Sequence, residues 1–277
     1  MDKIFLINKP KGITSYDVVS TIKKALKTRK VGHCGTLDPF ACGLLIVGVN
    51  GATKIMQFLE ADKKTYVAKL RLGEKTDTGD YTGNIVNKMQ VNTDKETIEK
   101  VLLSFQGNQK QIPPMYSALK YDGKRLYELA RQGQEVERSA RDINISRINL
   151  LDFKNNEIDF EVECSKGTYI RTLGEDIAEK LGTVGHLLEL NRTQIGSFSI
   201  DESISLSDVS YEKGLPIEMA LRDMPRIDLT DIEYNMISNG KPARLNATAE
   251  KVLLAKNGVL IAVYYRDGDI YRSKRGF

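Results

Sequence analysis

The chain has 277 residues, 41% hydrophobic and 28% charged, the balance of a soluble globular protein of one large domain with a small companion; it lacks the roughly 18 consecutive apolar residues of a membrane span. Its net charge of +4 is unevenly spread: residues 1–75 hold 14 Lys/Arg against 6 Asp/Glu, a surplus of +8, while the remainder holds 27 against 31, or −4. The opening ten residues contain only four consecutive apolar positions, Ile4 to Ile7, too few for a secretory signal, so cytoplasmic residence is expected.

In chain order, residues 3–7 read as a strand. Ser15 has the character of a helix N-cap, with Val18, Val19, Ile22 and Leu26 on one helical face and lysines opposite. The stretch 23–30 carries five positive charges in eight residues; it is either a solvated helix face or an edge that binds phosphates. A turn-rich segment, residues 31–39, leads to a buried strand at 43–49 and a helix at 53–59. Residues 64–73 alternate as a strand with Tyr66, Ala68, Leu70 and Leu72 on the apolar side. Thr93-Asp94-Lys95-Glu96 fits a capping box, opening a helix with Ile98, Val101, Leu102 and Phe105 on one stripe. After Pro113-Pro114 comes a helix near 123–132. A strand follows at 157–164, with Ile158, Phe160, Val162 and Cys164 facing one way, and then a helix built on Ile170, Leu173, Ile177 and Leu181. Strands and helices intersperse without a βαβ rhythm, which indicates α+β. Near Met224-Pro225 the character changes, and short strands at 252–255, 259–265 and 270–272 suggest a small β-rich appendage.

Several chemistries lack their signatures. Neither a phosphate-cradling Gly-x-x-x-x-Gly-Lys-Ser/Thr nor a dinucleotide Gly-x-Gly-x-x-Gly occurs, and Gly-x-Ser-x-Gly is absent. The zinc deaminase pattern is also missing. His33, Cys34 and Cys42 are close in sequence but do not have the paired spacing of a structural zinc site, so no metal is expected. Three cysteines make no even disulfide framework. What remains is Asp38, between Leu37 and Pro39 and flanked by Gly35 and Gly43. Asp before Pro is open to two readings, a plain helix N-cap or a carboxylate held extended in a tight loop.

The blocks Asn8-Lys9-Pro10-Lys11-Gly12-Ile13-Thr14-Ser15 and Gly32-His33-Cys34-Gly35-Thr36-Leu37-Asp38-Pro39-Phe40-Ala41-Cys42-Gly43 strongly resemble the bacterial TruB family of tRNA pseudouridine-55 synthases. So do Gly51-Ala52-Thr53-Lys54, Lys64-Thr65-Tyr66, 73–80, 167–173 and Arg192-Thr193-x-Ile195-Gly196-x-Phe198, all in family order over roughly residues 5–200. The resemblance implies a pseudouridine synthase core with a central mixed, largely antiparallel sheet flanked by helices over residues 1–224, and a PUA-like RNA-binding domain over 225–277. It implies catalytic roles for Asp38, Tyr66 and Arg171, and substrate-binding roles for His33, Tyr169 and Leu190. It further implies a tRNA T-stem-loop as substrate, with no cofactor, membrane or required protein partner, and a monomer.

These residue types suit the reaction. Pseudouridine forms when the N1–C1′ bond of uridine breaks, the uracil turns and C5 takes its place, with no redox change. A carboxylate can attack carbon and leave again, at either the base or the sugar. Arg171 falls in the first turn of its helix, where the macrodipole disfavours a cation and an anionic partner would offset that; the alternative is a surface arginine with no partner. Tyr66 and Tyr169 either pack or stack on a uracil, Tyr66 also assisting proton removal. His33 is either a plain loop residue or fills the space left by an extruded base. Lys54 is left outside the catalytic set. Two rivals stand beside this reading: a non-catalytic tRNA-binding protein in which Asp38 is structural, and a glycosylase that releases uracil.

Overall fold

The computed structural model describes residues 1–59, 63–237 and 240–276. Among them, ten strands form one mixed sheet in the order Ile204–Ser205, Lys3–Lys9, Cys42–Val49, Gly185–Ile195, Lys63–Leu72, Glu157–Ser165, Arg141–Lys154, Gly107–Gln111. Val31–Cys34 joins alongside Cys42–Val49, and Phe198–Ser199 alongside Gly185–Ile195. Ile204–Ser205 runs parallel to Lys3–Lys9, and Cys42–Val49 runs parallel to Gly185–Ile195. The other pairings in this sheet are antiparallel, as an α+β architecture of this kind requires.

The burial pattern explains the strand sequences. Glu157–Ser165 alternates because one face is covered: Ile158, Phe160, Val162 and Cys164 are all buried. Cys42–Val49 is apolar throughout because both of its faces are covered. Leu44 and Ile46 pack with Ile4, Leu6 and Ile55, while Leu45, Val47 and Val49 pack with Val18 and Ile22 of the Ser15–Ala25 helix and with its cap Leu26. Each such side chain contributes roughly 1.5–3 kcal/mol on burial. The Ile170–Lys180 helix lays Ile170, Leu173 and Ile177 on Tyr66, Ala68, Leu70 and Phe160.

Several elements differ from the sequence expectation. The first helix is capped by Thr14, whose hydroxyl accepts from the Asp17 amide while the Asp17 carboxylate accepts from the Thr14 amide. Ser15 is thereby freed for a tertiary contact. The cap is Asp94, one residue on from the expected Thr93, and it accepts from the Thr97 amide. The turn-rich 31–39 segment begins with a true strand, Val31–Cys34. The 53–59 helix divides into a 3-10 turn, Asn50–Ile55, and a short α-helix, Met56–Leu59. The helix near 123–132 is Leu126–Arg131, and a two-residue hairpin, Lys120–Tyr121 with Lys124–Arg125, precedes it.

Two long strands were not expected, Arg141–Lys154 and Gly185–Ile195. Both carry irregular register: breaks fall at Ile145/Arg147 and Leu150/Asp152 in the first, and at Leu187/Glu189 and Arg192/Gln194 in the second. A bulge shifts the inward side by one residue, so the two-residue period that marks a strand is broken.

The C-terminal residues form a separate four-stranded sheet, Arg226–Asp228, Lys251–Lys256, Val259–Asp267 and Ile270–Gly276. Val252, Leu254, Tyr264 and Tyr271 pack with Leu229 and Ile237 on one side, while Leu253 and Val263 join Ile4, Leu6 and Ile195 of the large sheet. No helix among the described residues is long and apolar enough to cross a membrane.

Candidate active site

Asp38 stands in a loop between Val31–Cys34 and Cys42–Val49 that is tied down at several points. The Ser15 hydroxyl accepts from the Leu37 amide at 3.0 Å and donates to the Leu37 carbonyl at 3.2 Å, fixing the residue before the carboxylate. The Ala41 amide returns to the Asp38 carbonyl, closing a turn with Pro39 at its second position, and the Gly12 amide bonds the Pro39 carbonyl. No helix follows Pro39, which removes the N-cap reading of Asp38. The Asp38 side chain is 37% exposed, so its carboxylate is open to a ligand on one side.

On the protein side it meets Arg171. This arginine is 4% exposed, not the partnerless surface residue that was the alternative. Its Nε donates to Asp38 Oδ2 at 2.9 Å, Nη1 to the Thr78 carbonyl at 2.8 Å, and Nη2 to the Tyr116 carbonyl at 2.6 Å. One guanidinium thus joins three chain segments around the carboxylate. Asp80, also buried, places Oδ2 3.9 Å from Arg171 Nε, and its Oδ1 accepts from the Thr78 and Thr82 hydroxyls and the Thr82 amide. The arginine therefore has a second anion nearby that offsets its burial.

Tyr66, on the Lys63–Leu72 strand, is buried in a cluster with Leu37, Phe40, Leu190 and Ile170. Burial pushes its phenol above the usual range, so it is protonated at neutral pH. Tyr169 is the N-cap of the Ile170–Lys180 helix and partly exposed. Its amide donates to Gln111 Oε1 at 2.8 Å, and Gln111 Nε2 returns to its carbonyl at 3.1 Å. Its phenol is likewise raised by burial. His33 lies on the Val31–Cys34 strand, with its imidazole pushed below its ordinary value by burial and then by Arg192, and is neutral at pH 7. The Asp38 loop, Tyr66, Leu190 and the start of the Arg171 helix therefore converge on one apolar cluster.

Sequence reasoning assigned no role to Lys9, Asp80 or Arg192, although all three fall in or beside the motif blocks. Lys9 is fully buried, donating from Nζ to the Pro10 and Ile13 carbonyls, and burial lowers its ammonium to about 8. The position of Lys9 within the Asn8-Lys9-Pro10-Lys11-Gly12 block was the available signal. Cys34 and Cys42 are half-buried thiols and Cys164 is buried, and no group of three or more potential metal-binding side chains converges among the described residues.

A ten-stranded mixed sheet with a carboxylate loop at its centre and a small β domain behind it is the pseudouridine synthase fold. Some 99% of this chain superposes on a chain of a Cbf5–Nop10–Gar1 complex with a TM-score of 0.77 and 24% identity, covering 84% of that chain. It also superposes on an H/ACA ribonucleoprotein bound to a substrate RNA containing 2′-deoxyuridine, with a TM-score of 0.74 and 24% identity over 99% and 84% of the two chains; at this identity the likeness is one of fold. Residues 23–170 match the family model of the TruB pseudouridylate synthase N-terminal domain, and residues 171–224 match that of the tRNA pseudouridylate synthase B C-terminal domain. The chain is 44% identical over 280 residues to tRNA pseudouridine synthase B of Bacillus subtilis, covering 96% of this chain and 90% of that protein. It is 41% identical over 269 residues to the Thermotoga maritima enzyme of the same name, covering 96% and 87%. The chain belongs to the TruB family of pseudouridylate synthases.

Proposed function

We propose that this enzyme isomerises one uridine of tRNA to pseudouridine, that of position 55 in the T-loop, with Asp38 as the carboxylate that reacts. The observation that carries this reading is the Arg171 guanidinium donating to Asp38 Oδ2 at 2.9 Å while the rest of that carboxylate faces outward. The pairing fixes the direction of the carboxylate, which a nucleophile needs. In the isomerisation the N1–C1′ bond breaks, the freed uracil turns, a C5–C1′ bond forms, C5 loses its proton and N1 gains one. Atoms and electrons balance without an external reactant.

Tyr66 and Tyr169 flank the base in this reading. A protonated Tyr66 phenol offers a hydrogen bond and passes on a proton rather than acting as a strong base. A neutral His33 takes up the space of the extruded nucleotide without adding a buried charge, and Leu190 supports the apolar floor. Recognition of the T-stem-loop rests on loop shape, stacking and phosphate contacts. Residues 1–224 serve as the catalytic unit and 225–277 as a PUA-like RNA-binding unit. The chain works as a monomer in the cytoplasm without a protein partner, an oligomeric state that light scattering checks.

The decisive experiment incubates the protein with unmodified tRNA and maps pseudouridine along it. Asp38→Asn is expected to abolish isomerisation while tRNA affinity stays within a few-fold, because the substitution removes charge and nucleophilicity but little volume. Full activity in that variant refutes the assignment. Free uracil among the products would instead make the chain a glycosylase.

A further inference from the structure

Arg192 is a buried cation that the reaction as described does not use. It is 1% exposed, sits within the Gly185–Ile195 strand, and has no ion-pair partner among the described residues. A buried guanidinium without a carboxylate is expensive, and such departures from a well-satisfied interior concentrate at functional sites. Its hydrogen bonds say what it holds. Nε donates to the Leu44 carbonyl at 2.8 Å and Nη2 to the Gly35 carbonyl at 2.7 Å. Gly35 opens the loop that carries Asp38 and Leu44 lies two residues into the strand that follows it, so one side chain ties the start of that loop to the strand at its exit.

The backbone of Arg192 is placed to reach both halves of the site. Its Cα pairs with Gly43 in the parallel register and with Tyr66 in the antiparallel register. Directly opposed residues share a sheet face, so the Arg192 and Tyr66 side chains lie on the same side. Burial raises the Tyr66 phenol, and the nearby Arg192 charge is the largest influence pulling it back down. Gly35 takes φ +68°, and a Cβ there would stand 3.4 Å from Arg192 Nη1 and 3.3 Å from Lys64 Nζ, so the loop seats closely on the arginine.

We infer that Arg192 is a positioning residue: by bridging the Gly35 and Leu44 carbonyls beside the Tyr66 ring, it sets where the Asp38 carboxylate stands relative to that ring. The inference rests on Asp38 and Tyr66 acting as proposed above. Arg192 itself stays behind both groups and does not touch the nucleotide. Lysine can keep the charge but cannot span two carbonyls with a planar fork; glutamine keeps one donor and loses the charge.

The test compares Arg192→Lys and Arg192→Gln with the parent enzyme in single-turnover isomerisation, tRNA binding, thermal unfolding and amide hydrogen exchange. Misplacing a catalytic group by about 1 Å costs about 100-fold in rate. The Gln variant is therefore expected to lose about 100-fold in single-turnover rate, with tRNA affinity within about 3-fold, and the Lys variant to recover part of that loss. Faster exchange is expected at residues 35–44, with the rest of the chain unchanged. In a Tyr66→Phe background the Arg192→Lys effect should shrink, because the two side chains act on one geometry.

Rates within twofold of the parent in both folded variants overturn the inference. So does a loss that falls on tRNA affinity rather than rate. If neither variant is folded at the assay temperature, Arg192 is structural and the inference is likewise overturned. Because Asp38→Asn is measured in the same assay, an inactive Asp38 variant beside fully active Arg192 variants would reject this inference alone. An active Asp38 variant would reject the underlying reading.

Discussion

Gly43 shows how closely the Asp38 loop depends on single atoms. Its φ is +107°, and a Cβ there would stand 2.4 Å from the Arg192 carbonyl oxygen, 2.4 Å from Asn191 Oδ1 and 2.7 Å from the Arg192 amide. The parallel pairing of Gly43 with Arg192 exists because nothing occupies that space. Gly43→Ala is expected to push the loop exit away from the Gly185–Ile195 strand, lowering the isomerisation rate by at least about 10-fold and destabilising the fold by about 2 kcal/mol or more. Single-turnover assays and denaturant unfolding check the two parts, and an alanine variant with unaltered rate and stability would contradict the argument. At this scale Asp38, Arg171 and Tyr66 were legible, because loop glycines, a proline and ordered motif blocks surround them. Arg192 and Asp80 were not, since their roles depend on carbonyls and an arginine more than 90 positions away in the chain or on a distant loop.

The Ile170–Lys180 helix shows a cost carried at the scale of one element. It places Asp176 where burial first, and Glu175 and Glu179 next, push its carboxyl up to about 6 from an ordinary value of 3.8. Well below pH 3.8 the group is protonated in both folded and unfolded chains and has no effect. As pH rises from 4 to 6 the unfolded chain ionises first, so stability is lost across that window and remains lost above it. Asp176→Asn should therefore stabilise the protein at pH 8 by about 1–2 kcal/mol, after discounting the shift for partial exposure. The gain should shrink as pH falls from 6 towards 4 and vanish below it. Thermal melts at pH 8, 6 and 4 test the sign; a constant gain at all three would mean that some other property of the side chain is responsible. Among the elements, those with unbroken periodicity were legible, including the strands around 64–73 and 157–164 and the helix built on Ile170. Bulged strands were hidden for the opposite reason.

Charge is organised over the whole molecule. The basic residues of the first 75 positions culminate in Lys23, Lys24, Lys27, Arg29 and Lys30, of which Lys23 is partly and the rest well exposed, and none has an ion-pair partner among the described residues. The helix that carries Lys23 and Lys24 begins at Ser15, which grips the Asp38 loop. At 1.5 Å rise per residue, Lys23 and Lys24 stand roughly 12–14 Å along the axis from that contact, with Lys27 just past the helix end. That is a distance at which an RNA stem entering the site presents further phosphates. Replacing Lys23, Lys24 and Lys27 with Ser should weaken tRNA binding and reduce the slope of log affinity against log salt by up to about two to three. Binding titrations between 50 and 200 mM salt measure it, and an unchanged slope would assign this face to solvent alone.

From the amino-acid order alone came the α+β class, the helical and strand stripes with a clean period, the small β-rich end of the chain, and the loop that bears Asp38. All of these are written in local residue type and spacing. Tertiary structure alone decided that Ser15 clasps Leu37 rather than capping its helix, that Arg171 is buried with its Nε on Asp38, and that Arg192 closes the same loop from below. Such contacts join residues 22, 133 and 157 positions apart. They depend on strand order and register, which local patterns carry only weakly once bulges intervene.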